Sequence, residues 1–138
     1  MQPDESAPLA VIVEDNALLS NMFARALQDI HYRTHMIENG QSAIDWLSTN
    51  VPDLLLLDLH LPYVSGEEIL KRFGNDERLK NTYIVLVTAD ARLGETLRER
   101  VDFFLNKPVD LVQLQQMARR LKNIKKETLE QSLLSPSL

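Results

Sequence analysis

Four apolar runs in this chain each stop at a polar signal, and that coincidence restricts the fold more than any other feature. Leu9 to Val13 ends at Glu14 and Asp15, Leu54 to Leu57 at Asp58, Tyr83 to Val87 at Thr88, and Phe103 to Leu105 shortly before Lys107 and Pro108. Strands buried on both faces read as continuous apolar runs, and in an open α/β sheet the ligand crevice lies beyond the carboxyl ends of the strands. Three carboxylates, a hydroxyl and an ammonium are therefore expected in one cleft, although they are spread over most of the chain.

Helical signals alternate with these runs. Leu18, Leu19, Met22, Phe23, Ala26, Leu27 and Ile30 recur at helical spacing and predict one apolar face after Asp15. Tyr32 to Ile37 reads as a more polar strand suited to a sheet edge. Asn39 and Gly40 then open a helix that turns Ala43, Ile44 and Leu47 inward. Ser65 and Glu68 have the spacing of a capping box, which predicts a helix from about Gly66 to Phe73 closed by Gly74 and Asn75. Asp90 is placed to cap a short, arginine-rich helix bearing Leu93 and Leu97. Asp110 does the same for a last helix with Leu111, Leu114, Ala118 and Leu121 on its inner stripe.

Strand and helix alternate five times, so the expected class is α/β: a doubly wound (βα)5 three-layer sandwich, flavodoxin-like, with a five-stranded parallel sheet in the order 2-1-3-4-5. Its switch point lies between the first and third strands, where Glu14, Asp15 and Asp58 fall. Residues 9–122 are expected to form this single domain, after a flexible N-terminus at 1–8 and before a helix end and loose tail at 123–138. The length of 138 residues suits one ordinary domain and leaves no room for a second.

The composition, 44% hydrophobic and 25% charged, is that of a soluble globular protein; no apolar run is long enough to span a membrane, and no secretory signal opens the chain. A cytoplasmic location is the expectation. With no cysteine, disulfides, thiolate nucleophiles and cysteine-held metals are excluded. The formal net charge of -5 argues against direct nucleic-acid binding. Arg119, Arg120, Lys122, Lys125 and Lys126 crowd the last helical segment, where cations complement the helix dipole; a solvated helix end is the simpler reading.

Oxygen ligands suit a hard cation, and Mg²⁺ is typically held by one or two carboxylates with waters and phosphate oxygens. Glu14, Asp15 and Asp58 offer such a set. Two carboxylates about 5 Å apart repel by roughly 3 kcal/mol at an effective dielectric near 20, which one lysine does not fully offset. An aspartate can also act as a nucleophile toward phosphorus and form an acyl phosphate. Asp58 is the best candidate acceptor, alone at its strand end and facing the acid pair. Thr88 would then donate a hydrogen bond to the new phosphoryl group, and Lys107 would supply the positive charge. Taken singly, each of these residues has an ordinary explanation as a turn, cap or surface residue; the joint placement at one sheet edge carries the reading.

From about Leu9 to Leu121 the chain resembles the receiver domain of two-component response regulators. The resemblance rests on Val13 to Asn16 at the first strand end, Asp58 to Pro62 with Gly66 following, Thr88-Ala89 and Lys107-Pro108. It implies that Asp58 accepts phosphate from a histidine kinase or a histidine phosphotransfer protein, with magnesium held by Glu14, Asp15, Asp58 and the backbone carbonyl of His60. It further implies that Thr88 moves toward the phosphoryl group while Phe104 turns inward, repositioning the face of helix four, strand five and helix five. That face would bind a downstream protein or a second receiver. Phe104 is equally compatible with a plain core aromatic. Self-phosphorylation and autodephosphorylation are the only catalysis implied, so the chain is not expected to be an enzyme in the ordinary sense.

Two departures from the family pattern stand out. The stretch from Thr88 to Lys107 is short, with Arg100-Val101 where a glycine-alanine pair is common, which predicts a short or irregular helix four. His60 lies two residues beyond the acceptor and Asp90 two beyond Thr88, and both are expected to tune the lifetime of the acyl phosphate. A zinc role for His60 is not expected, because His31 and His35 belong elsewhere on the sheet, and Trp46 reads as packing. Two competing readings are a receiver-like interaction module that is never phosphorylated and an aspartyl-nucleophile phosphatase of haloacid dehalogenase type. The phosphatase needs a second aspartate where His60 stands, and the presence of the full chemical set argues against the silent module. A flavodoxin would share the topology, but Glu14 and Asp15 would repel the phosphate that it binds after its first strand.

Overall fold

The computed structural model describes residues 5–122 and residue 124. Five strands, β1 (Leu9–Val13), β2 (Arg33–Ile37), β3 (Leu54–Asp58), β4 (Tyr83–Thr88) and β5 (Phe103–Asn106), alternate with five helices, α1 (Ala17–Gln28), α2 (Gly40–Leu47), α3 (Gly66–Phe73), α4 (Ala91–Thr96) and α5 (Leu111–Leu121). The strands form one parallel sheet in the order β2-β1-β3-β4-β5, as the alternation predicts.

The leucine run of β3 shows why these strands are apolar throughout. Leu54 and Leu56 face the core shared with α1 and α5, while Leu55 and Leu57 face the one shared with α2 and α3, and all four are buried. Burying a leucine contributes roughly 2 kcal/mol, so the central strand is anchored from both sides. On one face Ala10, Ile12, Val85 and Val87 meet Phe23, Leu27, Leu114 and Ala118. On the other, Val11, Val13 and Leu86 meet Ala43, Leu47, Ile69 and Phe73.

Each helix start is capped by the side chain that the sequence offers. The Asn16, Asn39, Ser65 and Asp90 side chains accept from Leu19, Ser42, Glu68 and Leu93 N–H, and Asp110 accepts from both Val112 and Gln113. Helix α1 departs from expectation on one point. Phe23, Ala26 and Leu27 are buried, but Leu18 is 70% and Met22 41% exposed. These two lie one turn apart on a row rotated off the sheet, so the packed face is narrower than the apolar pattern suggests.

The segment after β4 is irregular in the way its length predicts. Helix α4 has six residues and is followed by a 3-10 turn at Arg98–Arg100. A second 3-10 turn at Glu77–Leu79, opened by Asp76, was not anticipated. Tyr32 precedes β2 instead of starting it, its buried hydroxyl donating to Ala118 O at 2.6 Å. Asp102 precedes β5 and its carboxylate accepts from Ile84 N–H at 2.8 Å. At the basic end of α5, Arg119 and Arg120 are exposed, as a solvated helix end requires, while Lys122 is half-buried and its Nζ donates to Ile30 O at 2.8 Å. Of the expected helix end and tail at 123–138, only Ile124 is described; Lys125 and Lys126 lie outside the described residues, as do residues 1–4 of the expected flexible N-terminus.

Candidate functional site

The carboxyl ends of β1, β3, β4 and β5 bring Glu14, Asp15, Asp58, Thr88 and Lys107 to one edge of the sheet. Glu14 and Asp58 are buried, and Asp15 is exposed. One carboxylate oxygen from each of the three acids lies within 4.8 Å of the others, the one such acid cluster found among the described residues. Lys107 reaches in from the loop after β5, its Nζ 2.9 Å from Glu14 Oε1 and 3.2 Å from Asp58 Oδ2. Its backbone is tied to the same edge by a bond from Lys107 N–H to Thr88 O at 2.9 Å, and a cis peptide links it to Pro108.

The remaining oxygen of Asp58 is held by its own loop, with His60 N–H donating to Asp58 Oδ1 at 3.1 Å. Gly66 makes this loop possible: a Cβ there would run into the Asp58 carbonyl, so only glycine lets α3 begin so close beneath the strand end. Between them, Val64 N–H donates to Pro62 O at 2.8 Å, leaving Tyr63 at φ 66° with its side chain fully exposed.

The electrostatics follow from this packing. Burial, the neighbouring Asp58 carboxylate and its charge push the Glu14 carboxyl above the usual glutamate range, and Lys107 only partly counters them. Burial also works against the Lys107 ammonium, but its bonds to Glu14 and Asp58 and their charges outweigh that, so it is held above the ordinary lysine value. Two buried anions thus share one cation, with a third carboxylate beside them. That donor set fits a hard divalent cation: it is all oxygen, already clustered, and under-neutralised.

Thr88 is fully buried, and its Oγ1 accepts from Asp90 N–H at 2.9 Å, which leaves its own proton free to donate. Asp90 is exposed, with its Oδ1 engaged as the cap of α4 at 3.1 Å from Leu93 N. His60 is likewise exposed. Phe104 lies half-buried on the α4 side of β5, while Phe103 alternates to the other face beside Tyr83, their ring centroids 6.3 Å apart.

Two further residues support the site and had no role of their own in the sequence reading. Asn16 caps α1, and its N–H points to Glu14 Oε2 at 3.5 Å. An asparagine directly before an apolar-periodic stretch is the signal that marks it. Gly94 is the other: a Cβ on it would overlap the Phe104 ring. A glycine inside a helical pattern already hints at such close packing.

A family model described as the response regulator receiver domain matches residues 10–119. The chain belongs to the response regulator receiver family. A curated relative, the polar-differentiation response regulator DivK of Brucella anthropi, is 35% identical over 104 residues, 73% of this chain and 85% of that protein. Among solved structures, a CheY-like receiver domain from Methylobacillus flagellatus is 28% identical with a TM-score of 0.75, covering 84% of this chain and 99% of that one. A receiver domain of a histidine kinase from Syntrophus aciditrophicus is also 28% identical, with a TM-score of 0.75 over 83% of this chain and 89% of that one.

This receiver is therefore a two-component signalling domain whose acidic pocket, Glu14, Asp15 and Asp58, suits magnesium and phosphorylation, and it is not an enzyme of the ordinary kind. Its partners in general are kinases or phosphotransfer proteins. Among the described residues no helix is long and apolar enough to cross a membrane.

Proposed function

We propose that Asp58 is the phosphoacceptor of a cytoplasmic two-component phosphorelay and that its phosphorylation switches partner binding. The observation that carries this reading is the Lys107 ammonium bridging two buried carboxylates, at 2.9 Å from Glu14 and 3.2 Å from Asp58, with Asp15 completing the acid cluster. A phosphohistidine of a kinase or phosphotransfer protein loses its N–P bond as an oxygen of Asp58 forms the new O–P bond. The donor imidazole leaves with the electron pair. Magnesium, held by Glu14, Asp15, Asp58 and the His60 carbonyl, would shield the charge on the transferring phosphoryl oxygens.

The chain's own groups do the rest. Lys107 moves its positive charge from the carboxylate to a phosphoryl oxygen, and the Thr88 hydroxyl donates to another while keeping the bond it accepts from Asp90 N–H. Movement of Thr88 is passed to Phe104 and from there to the face built by α4, β5 and α5. That face takes the downstream protein or a second receiver. His60 and Asp90 flank the acceptor and the switch hydroxyl and set the acyl phosphate lifetime; for Asp90 this acts through a carboxylate that also caps α4.

The test is incubation with Mg²⁺ and a small acyl phosphate, or with beryllofluoride, followed by intact-mass or adduct detection. An adduct that disappears in Asp58→Asn supports the reading. No adduct at any donor concentration would make the chain a non-phosphorylated interaction module, and turnover of free phosphomonoesters would point to the phosphatase chemistry.

A further inference from the structure

A broad groove lies at the sheet edge, over β2. This groove of about 710 Å³ runs between α1 and α2, from Glu14 and Asp15 at its upper end to Asn50 at its lower end. Among the described residues, strand β2 has a partner on one side only. Arg33 N–H donates to Pro8 O, and Ile37 O accepts from Glu14 N–H, so the odd-numbered residues of β2 turn their backbone groups toward β1. By the strand period, Thr34 and Met36 turn theirs away from β1, and Met36 lines the groove.

Neither proline nor lysine blunts this edge. Met36 is 47% exposed beside it, and on the other face His35 stacks on Trp46 at 5.2 Å between ring centroids. The charge of the groove is one-sided. Glu14, Asp15, Glu38 and Asp45 line it, and no lysine or arginine among the described residues does.

We infer that β2 is a docking edge for an extended, cationic segment of a partner protein, which adds to the sheet as a sixth strand. Backbone bonds to Thr34 and Met36 supply the pairing, and basic side chains of the incoming strand meet Glu38 and Asp45. A second copy of the chain is the poorer occupant, because it would bring four like carboxylates to the same groove on a chain already at -5. The groove meets the acid cluster at Glu14 and Asp15, but Asp58 does not line it, and the pairing edge and the Glu38 and Asp45 charges do not depend on phosphorylation.

Trp46 is the single tryptophan of the chain, so its fluorescence reports occupancy directly. The probe is a blocked peptide of alternating arginine and valine, titrated into the full chain, with the glutamate-valine counterpart as control. The expected result is a saturable change in Trp46 emission with the cationic peptide and none with the acidic one. Met36→Pro removes an outward N–H that no strand of this sheet uses, and is expected to weaken binding about tenfold or more. The pair Glu38→Gln and Asp45→Asn, which leaves the edge backbone untouched, is expected to weaken it comparably and keeps the test independent of any folding defect in the proline variant. Absence of a fluorescence change, or binding indifferent to both variants, would overturn the inference. So would a concentration-dependent dimer abolished by Met36→Pro, because a second copy would then be the occupant.

Discussion

Gly94 of α4 and Phe104 of β5 are in such close contact that the aromatic ring occupies the space a Cβ on residue 94 would need. The short α4 thus carries its one glycine at the point where the expected switch aromatic presses against it. Gly94→Ala should improve helix propensity yet destabilise the domain by about 1–2 kcal/mol, because the overlap displaces Phe104 from the cluster with Leu93 and Leu97. Urea unfolding of the single and double variants checks this. In a Phe104→Ala background the penalty should vanish, and an unchanged penalty there would show that the contact is not its cause.

Among the described residues, Lys107 is the one ammonium bonded to both Glu14 and Asp58. Replacing it, as in Lys107→Met, leaves two buried carboxylates without a cation and should cost about 2–3 kcal/mol at neutral pH. The sign of the pH dependence follows from Glu14, whose folded-state pKa already lies above its ordinary value. In the variant, stability should rise as pH falls through that raised value and level off below the unfolded-state value. In the unmodified chain, the stability that Lys107 contributes is present below the ordinary lysine pKa and is lost as pH rises through its raised folded value. If the bridge acts this way, denaturation midpoints should fall with rising pH in both proteins, but the alkaline loss through the raised Lys107 value should be seen only in the unmodified chain and be absent from the variant.

Magnesium should stabilise the fold by mass action, about 1.4 kcal/mol when its concentration is ten times the dissociation constant. The thermal shift should be lost in Asp15→Asn, which removes an exposed ligand without disturbing the buried pair. It should also shrink on mild acidification, since the raised Glu14 carboxyl takes up a proton where an ordinary glutamate would not. A shift independent of pH over that window would mean that Glu14 does not hold the metal.

His60 and Asp90 can be separated by their different surroundings. Removing the imidazole in His60→Ala should change the dephosphorylation rate several-fold, measured by loss of label or of intact-mass adduct, while leaving stability alone because the side chain is exposed. Equal rates in the two proteins would remove His60 from that role. For Asp90, Asp90→Asn keeps a capping oxygen for Leu93 N–H and removes the charge, whereas Asp90→Ala loses the cap and should cost about 1 kcal/mol. A lifetime change in Asp90→Asn without loss of stability would assign the effect to charge.

The fold was legible in the sequence because both of its determinants are local. A run such as Leu54 to Leu57 has no polar residue to turn toward water, so it requires cover on both faces, and the capping residues Asn39, Ser65, Asp90 and Asp110 mark helix starts within a few residues. The same argument placed Glu14, Asp15, Asp58, Thr88 and Lys107 at one edge, since parallel strands carry their last residues to the same side.

What the tertiary structure decided is how those groups and their neighbours pair. The division of Lys107 between Glu14 and Asp58, the buried contact of Phe104 with Gly94, and the acidic groove along the free edge of β2 each join residues from separate segments. The exposure of Leu18 and Met22 belongs here too, because helical period defines a face but only the packed sheet fixes how wide a face it covers. Local chemistry in the chain selects the elements and their ends, while distances of a few ångströms between those ends, set by packing, determine which charge meets which.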